Sequence, residues 1–72
     1  MTTESPVGKI GRVTGRIGPD TVGEVIVEIR GGTEAFLAHP ADSSEEIPTG
    51  TQVLVLSVAP PPTIYVTTFD GF

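Results

Sequence analysis

Few side chains in this 72-residue sequence could carry chemistry, because it has no cysteine and only one histidine, His39. A serine nucleophile would need His39 as its base, and no serine lies in a Gly-x-Ser-x-Gly elbow. Ser57 stands among apolar residues within a strand pattern, so we expect a core hydroxyl there. Glu45 and Glu46 lie in a polar stretch where carboxylates are ordinarily solvated. The sequence therefore predicts no catalytic residues and no enzyme.

His39 is also the candidate metal ligand. The hairpin register expected below places it opposite Glu24, and Asp42 is close in sequence. Transition-metal sites usually offer more nitrogen or sulfur ligands than one imidazole. We therefore expect a structural histidine at a strand end beside Pro40, with no metal and no cofactor.

The charge balance disfavours nucleic acid as a partner. Four basic residues stand against nine acidic ones, which gives a net charge of −5 at pH 7. Proteins that bind nucleic acids concentrate Lys and Arg to neutralise phosphates. All four basic residues lie in the first thirty positions, however, so a local basic stripe remains open.

The apolar pattern has a period of two almost throughout and predicts an all-β chain. Residues 42–46 could form at most one short helical turn. We expect a single domain over residues 7–69, with flexible ends at 1–6 and 70–72. The expected strands cover residues 9–17, 22–30, 33–39, 51–58 and 63–69.

Two hairpins set the expected registers. The second turns at residues 30–33 (RGGT), where the two glycines suit a type I′ turn. Its pairs are Val27 with Phe36, Val25 with Ala38 and Ile26 with Leu37. The first hairpin turns at residues 18–21. Its opposite-charge pairs are expected to be Arg16 with Glu24 and Arg12 with Glu28.

These elements predict a five-stranded antiparallel barrel of the OB-fold type. Gly11 and Gly15 are expected on the inner side of the first strand, where they let it bend sharply enough to close the barrel. The fourth strand is apolar on both faces, which favours a strand covered on both sides or one that crosses a barrel seam. The prolines at 60–62 must be a connection, because proline cannot donate to a strand ladder.

The outer face of strands one to three is the candidate binding surface, since OB-folds usually bind ligands there. Its apolar centre, Ile26 and Leu37, is ringed by charge and favours a protein contact over base stacking, for which aromatics are missing. Binding of single-stranded nucleic acid or oligosaccharide is the alternative. Scattered surface apolar groups without a function are equally open. The candidate partner-binding residues are Ile10, Arg12, Arg16, Ile26 and Leu37.

Residues 7–13 (VGKIGRV) and 47–55 (IPTGTQVLV) resemble the opening and the fourth-strand segment of the NfeD-like C-terminal soluble domain. Gly18-Pro19 and the segment 23–25 are similar to that family's first turn and following strand. The resemblance covers residues 7–68. The turn at 18–23 departs from the usual pattern.

The resemblance implies an OB barrel that forms the cytosolic tail of a small membrane protein. It also implies a flotillin- or stomatin-like membrane scaffold protein as partner. Long members of the family add a serine protease domain, which this sequence lacks. The sequence has no apolar run approaching the ~20 residues of a membrane span and no signal peptide. We therefore expect a cytoplasmic domain held at the membrane as part of a longer, membrane-anchored protein. An unusual soluble member of the family is the alternative.

Overall fold

A computed structural model describes residues 5–29, 31–60 and 63–69. Five strands close into one barrel in the order β1-β2-β3-β5-β4, which confirms the predicted OB-like barrel. None of the described residues is helical, so none belongs to a helix able to cross a membrane. The strands are β1 (Ile10–Gly15), β2 (Gly23–Ile29), β3 (Gly32–Pro40), β4 (Gln52–Ala59) and β5 (Thr63–Thr68).

One strand pair is parallel, so the expectation of a purely antiparallel barrel was wrong. β4 pairs with β1, and β5 then returns antiparallel to β4 and fills the gap beside β3. Because β3 and β5 both run in the same direction as β1, they meet in parallel. The long connection over residues 41–51 makes this possible by carrying the chain from β3 to the far side of β1.

The core is entirely apolar, and no described polar or charged residue is buried. Alternate residues point inward in β1, β2 and β5 and in the second half of β3, as period-two patterning predicts. Ile17 and Ile47 extend the core beyond β1, because each donates its backbone N–H to the carbonyl of the other, at 3.0 and 2.8 Å. The buried hydrophobic residues are Val13, Ile17, Val25, Val27, Phe36, Ala38, Ile47, Val53, Val55, Ile64 and Val66.

The β2–β3 register differs from the predicted one by two residues. Ile29 pairs with Gly32, so the connection consists of residues 30 and 31 and turns one residue earlier than expected. Residue 30 lies outside the described ranges. A shift of two preserves the faces of a strand, and Phe36 is accordingly inward as predicted. The observed pairs include Val25 with Phe36, Ile26 with Ala35 and Glu24 with Leu37.

The predicted charge pairs between β1 and β2 do not form. Arg12 pairs with Ile26 instead of Glu28, and the register shifts between Val13 and Gly15. Past this irregularity the chain leaves β2 and turns to the 41–51 connection, where the Arg16 guanidinium forms an ion pair with Glu46. Charge complementarity alone was therefore a poor guide to this register.

Gly23 allows the close crossing at the end of β1. A Cβ atom added there would lie 2.5 Å from the carbonyl oxygen of Gly15 and 2.8 Å from that of Arg16. Such distances are not found in real structures, so any side chain at this position would force two backbone segments apart.

β4 does not follow the expectation of a strand covered on both sides. Its register against β5 shifts between Val55 and Ser57, and this irregularity interrupts the inward–outward alternation. Ser57 is exposed, so the predicted core hydroxyl was wrong, and Leu56 and Val58 are each 46% exposed. Within the expected flexible ends, residues 1–4 and 70–72 lie outside the described ranges, as do 61 and 62 of the proline connection.

Candidate partner-binding groove

An open groove of about 480 Å³ runs over the outer surface of the barrel where β4, β1 and β2 lie side by side. One row of paired residues crosses it, from Ile26 on β2 to Arg12 on β1 and Gln52 on β4. Its lining residues are Ile10, Gly11, Arg12, Thr14, Ile26, Glu28, Thr33 and Gln52.

The central wall of the groove follows from the alternation in β1. Gly11 and Val13 are buried, so Ile10, Arg12 and Thr14 point outward from the same strand. A Cβ atom at Gly11 would lie 2.5 Å from Val25 Cγ1 and 3.0 Å from the carbonyl oxygen of Ile26, so the inner side of β1 has no room for a side chain beneath the groove.

The groove combines an apolar floor with charges of both signs. Ile10 and Ile26 are half-buried, and Arg12 and Glu28 are exposed. Neither Arg12 nor Glu28 has an ion-pair partner among the residues that the structure describes. Nearby, Thr14 Oγ1 donates a hydrogen bond to Glu24 Oε1 at 2.8 Å. The arrangement can take up an apolar side chain and orient the groups beside it by charge.

The structure brings together three of the five predicted binding residues. Ile10, Arg12 and Ile26 all line the groove. Arg16 does not, because its side chain turns to Glu46. Leu37 is 51% exposed but lies between Glu24 on β2 and Thr63 on β5, outside the groove lining.

Five lining residues are outside the predicted binding set: Gly11, Thr14, Glu28, Thr33 and Gln52. The sequence assigns Glu28 as the partner of Arg12 and places Thr33 in the hairpin turn. Gln52 enters the groove only because β4 pairs with β1. No local feature of the sequence indicates that pairing. Thr33 could have been predicted from the correct register of the second hairpin, in which it pairs with Glu28.

His39 lies away from the groove. Its ring stacks on that of Tyr65, with centroids 5.6 Å apart and an interplanar angle of 27°, and the expected pairing with Glu24 does not occur. Within the described ranges, no group of three or more His, Cys, Asp or Glu residues could hold a metal ion. The pKa of Asp42 is lowered, chiefly by the backbone N–H of Ser44 and then by its hydroxyl.

Fold and groove together define a small OB-fold-like barrel domain with an open groove on its outer surface. The family model of the NfeD C-terminal domain matches residues 10–67, and the chain belongs to this family. The family predicted from the two sequence motifs is therefore confirmed. A search of curated proteins finds no match.

Two solved structures share the fold. The soluble domain of the NfeD protein YuaF from Bacillus subtilis is 32% identical, with a TM-score of 0.76 over 90% of this chain and 75% of that one. The second is from Corynebacterium glutamicum, the soluble domain of a membrane protein implicated in regulation of membrane protease activity. It is 26% identical, with a TM-score of 0.70 over 86% of this chain and 94% of that one.

Proposed function

We propose that this domain is a non-catalytic protein-interaction module whose groove binds a flotillin- or stomatin-type membrane scaffold protein. The observation that carries the proposal is an apolar floor, Ile10 and Ile26, beside two exposed charges, Arg12 and Glu28, that have no ion-pair partner among the described residues. In the cell the domain would act on the cytoplasmic side of a membrane, as part of a longer membrane-anchored protein.

The relatives support this setting. One is a domain of an NfeD protein, and the other is a domain of a membrane protein implicated in regulation of membrane protease activity. By analogy, this domain would bring a partner to a membrane-bound protein, and any catalytic activity would belong to another protein or domain.

Binding would draw its free energy from the floor and its orientation from the charges. Fully burying an isoleucine side chain contributes roughly 1.5–3 kcal/mol, and Ile10 and Ile26 retain part of this because they are only half-buried. Charges at the border of an interface mainly set orientation and association rate. Arg12 would meet an acidic group and Glu28 a basic group on either side of an inserted apolar side chain.

The test compares two aspartate substitutions in the 72-residue chain. Ile26→Asp places a charge on the groove floor, whereas Leu56→Asp places one on β4 outside the groove lining. We expect Ile26→Asp to weaken binding to the purified cytosolic domain of a stomatin-type protein by about 30-fold or more, as for a central interface residue. Leu56→Asp should leave the dissociation constant within about twofold, as is usual for residues outside an interface.

Circular dichroism and thermal unfolding distinguish a variant that no longer folds from a folded variant that no longer binds. If Ile26→Asp unfolds the barrel, Ile26 belongs to the core and the proposed surface is wrong. If the folded variant binds as tightly as the parent chain, the groove is not the contact.

Binding of single-stranded nucleic acid or oligosaccharide remains the alternative. The described groove lining contains no aromatic side chain on which bases or sugars could stack. An affinity for single-stranded DNA that falls steeply with added salt would favour the alternative.

A further inference from the structure

A second exposed surface lies on the outside of β3, β5 and β4, and we call it the aromatic patch: Leu37, His39, Leu56 and Tyr65. Tyr65 is its centre, because it pairs with His39 on β3 and with Ser57 on β4, next to Leu56. Leu37 is 51%, Leu56 46% and Tyr65 37% exposed. Three neighbouring strands thus present large apolar groups to solvent.

The patch is separate from the groove. None of its members lines the groove, and β5 is separated from β1 by β4 on one side and by β3 and β2 on the other. The stacked rings of His39 and Tyr65 come from two strands that are distant in sequence but parallel neighbours in the barrel. The sequence pattern did not predict this pair of rings, because it did not place β5 beside β3.

The charge around the patch selects among possible occupants. The strands that carry the patch, β3, β4 and β5, contain no Lys or Arg. Glu24 pairs with Leu37 in the ladder, and its carboxylate accepts a hydrogen bond from the Thr14 hydroxyl on β1. A surface built without cations does not attract the phosphates of nucleic acids or anionic lipids. A second copy is disfavoured by the net charge of −5 on each chain.

We propose that the aromatic patch binds a cationic, apolar segment of a protein partner. Aliphatic side chains of that segment would pack on Leu37 and Leu56, and an arginine or lysine would lie against the Tyr65 ring, an arrangement that aromatic faces favour. The net charge of −5 on the chain would favour the cationic segment. The domain would then hold two different partner segments, one on each side of the barrel.

An amide NMR titration of the 15N-labelled 72-residue chain tests this. The probe is a synthetic peptide of arginine and leucine about ten residues long, and the matched control replaces each arginine by glutamate. The proposal predicts shifts at residues 37–39, 56–57 and 64–66 with the arginine peptide, and none with the glutamate peptide. Affinity should fall with added salt, because salt screens the attraction between the net negative charge of the chain and the cationic peptide.

Two variants and one control locate the contact. Leu56→Lys adds a cation to the patch and should weaken peptide binding about tenfold through repulsion. Tyr65→Leu keeps an apolar side chain but removes the ring, and should weaken binding about two- to fivefold, the value of an exposed cation–π contact. Arg12→Gln changes the groove alone and should leave peptide affinity within about twofold.

Three results would overturn the proposal. The first is equal binding of both peptides, which would show that charge plays no part. The second is a set of shifts confined to residues 10–14, 26–28 and 52, which would assign the cationic peptide to the groove. The third is unchanged affinity in a folded Leu56→Lys variant. None of these bears on whether the groove binds a scaffold protein, so the two proposals fail independently.

Discussion

The groove and the aromatic patch are built on the same barrel by the same alternation, yet they differ in charge. The groove offers Arg12 beside Glu28 over an aliphatic floor, whereas the patch offers aromatic and aliphatic groups on strands that contain no Lys or Arg. Basic residues are confined to the first thirty positions, and the barrel order keeps most of β3, β5 and β4 away from them. A basic residue therefore lines the groove, whereas the strands of the patch contain none.

Breaking the shared scaffold should have the largest effect, because both faces depend on it. Gly23→Ala would place a Cβ atom 2.5 Å from the Gly15 carbonyl oxygen. We expect a loss of about 3 kcal/mol in the free energy of unfolding, at the upper end for overpacking. Thermal unfolding should show a midpoint lowered by more than about 10 °C for a domain of this size.

Gly18→Ala is the matched control for that experiment. A Cβ atom there would meet its nearest neighbour, Glu46 Cγ, at 3.7 Å, an ordinary contact. Its unfolding midpoint should stay close to that of the parent chain. Equal midpoints for the Gly23 and Gly18 variants would contradict the close crossing at the end of β1.

Reversing one charge should alter the groove and spare the patch. Arg12→Glu is expected to weaken scaffold-protein binding about tenfold, mostly through slower association, because border charges steer encounter. The measurement is surface plasmon resonance at several salt concentrations.

The Arg16→Gln variant tests whether the partner contacts only the groove or also the wider surface that the sequence predicted. Its guanidinium is engaged with Glu46, outside the groove lining, so scaffold-protein binding should be unchanged. If Arg16→Gln weakens binding as much as Arg12→Glu does, the contact extends beyond the groove.

The same Arg16→Gln variant should lower stability only slightly. Both partners of the ion pair with Glu46 are more than half exposed, at 56% and 59%. Exposed ion pairs contribute about 0.2–1 kcal/mol, so urea unfolding should show a shift of that size at most. A larger loss would indicate that the pair holds the 41–51 connection against the barrel.

The smallest effect concerns Asp42, which lies on neither face. The backbone N–H of Ser44 and its hydroxyl both donate to Asp42 Oδ1, at 3.0 and 2.8 Å, and lower the pKa of this carboxyl. Ser44→Ala removes only the hydroxyl, so the pKa should rise part of the way to its ordinary value. NMR titration of the Asp42 carboxyl carbon measures this directly, and an unchanged pKa would mean that the hydroxyl contributes nothing.

The sign of the accompanying stability change follows from that lowered pKa. A carboxyl whose folded pKa lies below its unfolded value contributes stability above the unfolded pKa and loses it as pH falls through the folded pKa. The parent chain should therefore be slightly more stable than Ser44→Ala at neutral pH. This difference should shrink as the pH falls and vanish below the folded pKa of Asp42.

Sequence patterning predicted the barrel and its inward residues because alternation decides which side of a strand is buried. It could not set the registers, since a shift of two residues leaves Phe36 and Val25 inward in either alignment. The irregularity before Ser57 interrupts the alternation and exposes a residue that the pattern buried.

One residue of the groove and the contact between the two aromatic rings depended on long-range pairing. Ile10, Arg12 and Ile26 belong to neighbouring strands joined by a short connection, so local reasoning could place them together. Gln52 and the stacking of His39 on Tyr65 depend on where the 41–51 connection delivers β4. The residues of that connection show no hydrophobic pattern from which the pairing of β4 with β1 could be predicted.

The most direct test of the central claim is an amide NMR titration of the 15N-labelled chain with the purified cytosolic domain of a stomatin-type scaffold protein. The groove proposal predicts shifts at residues 10–14, 26–28 and 52, with residues 37–39 and 64–66 unchanged. Shifts confined to the aromatic patch, or none at a saturating partner concentration, would contradict it.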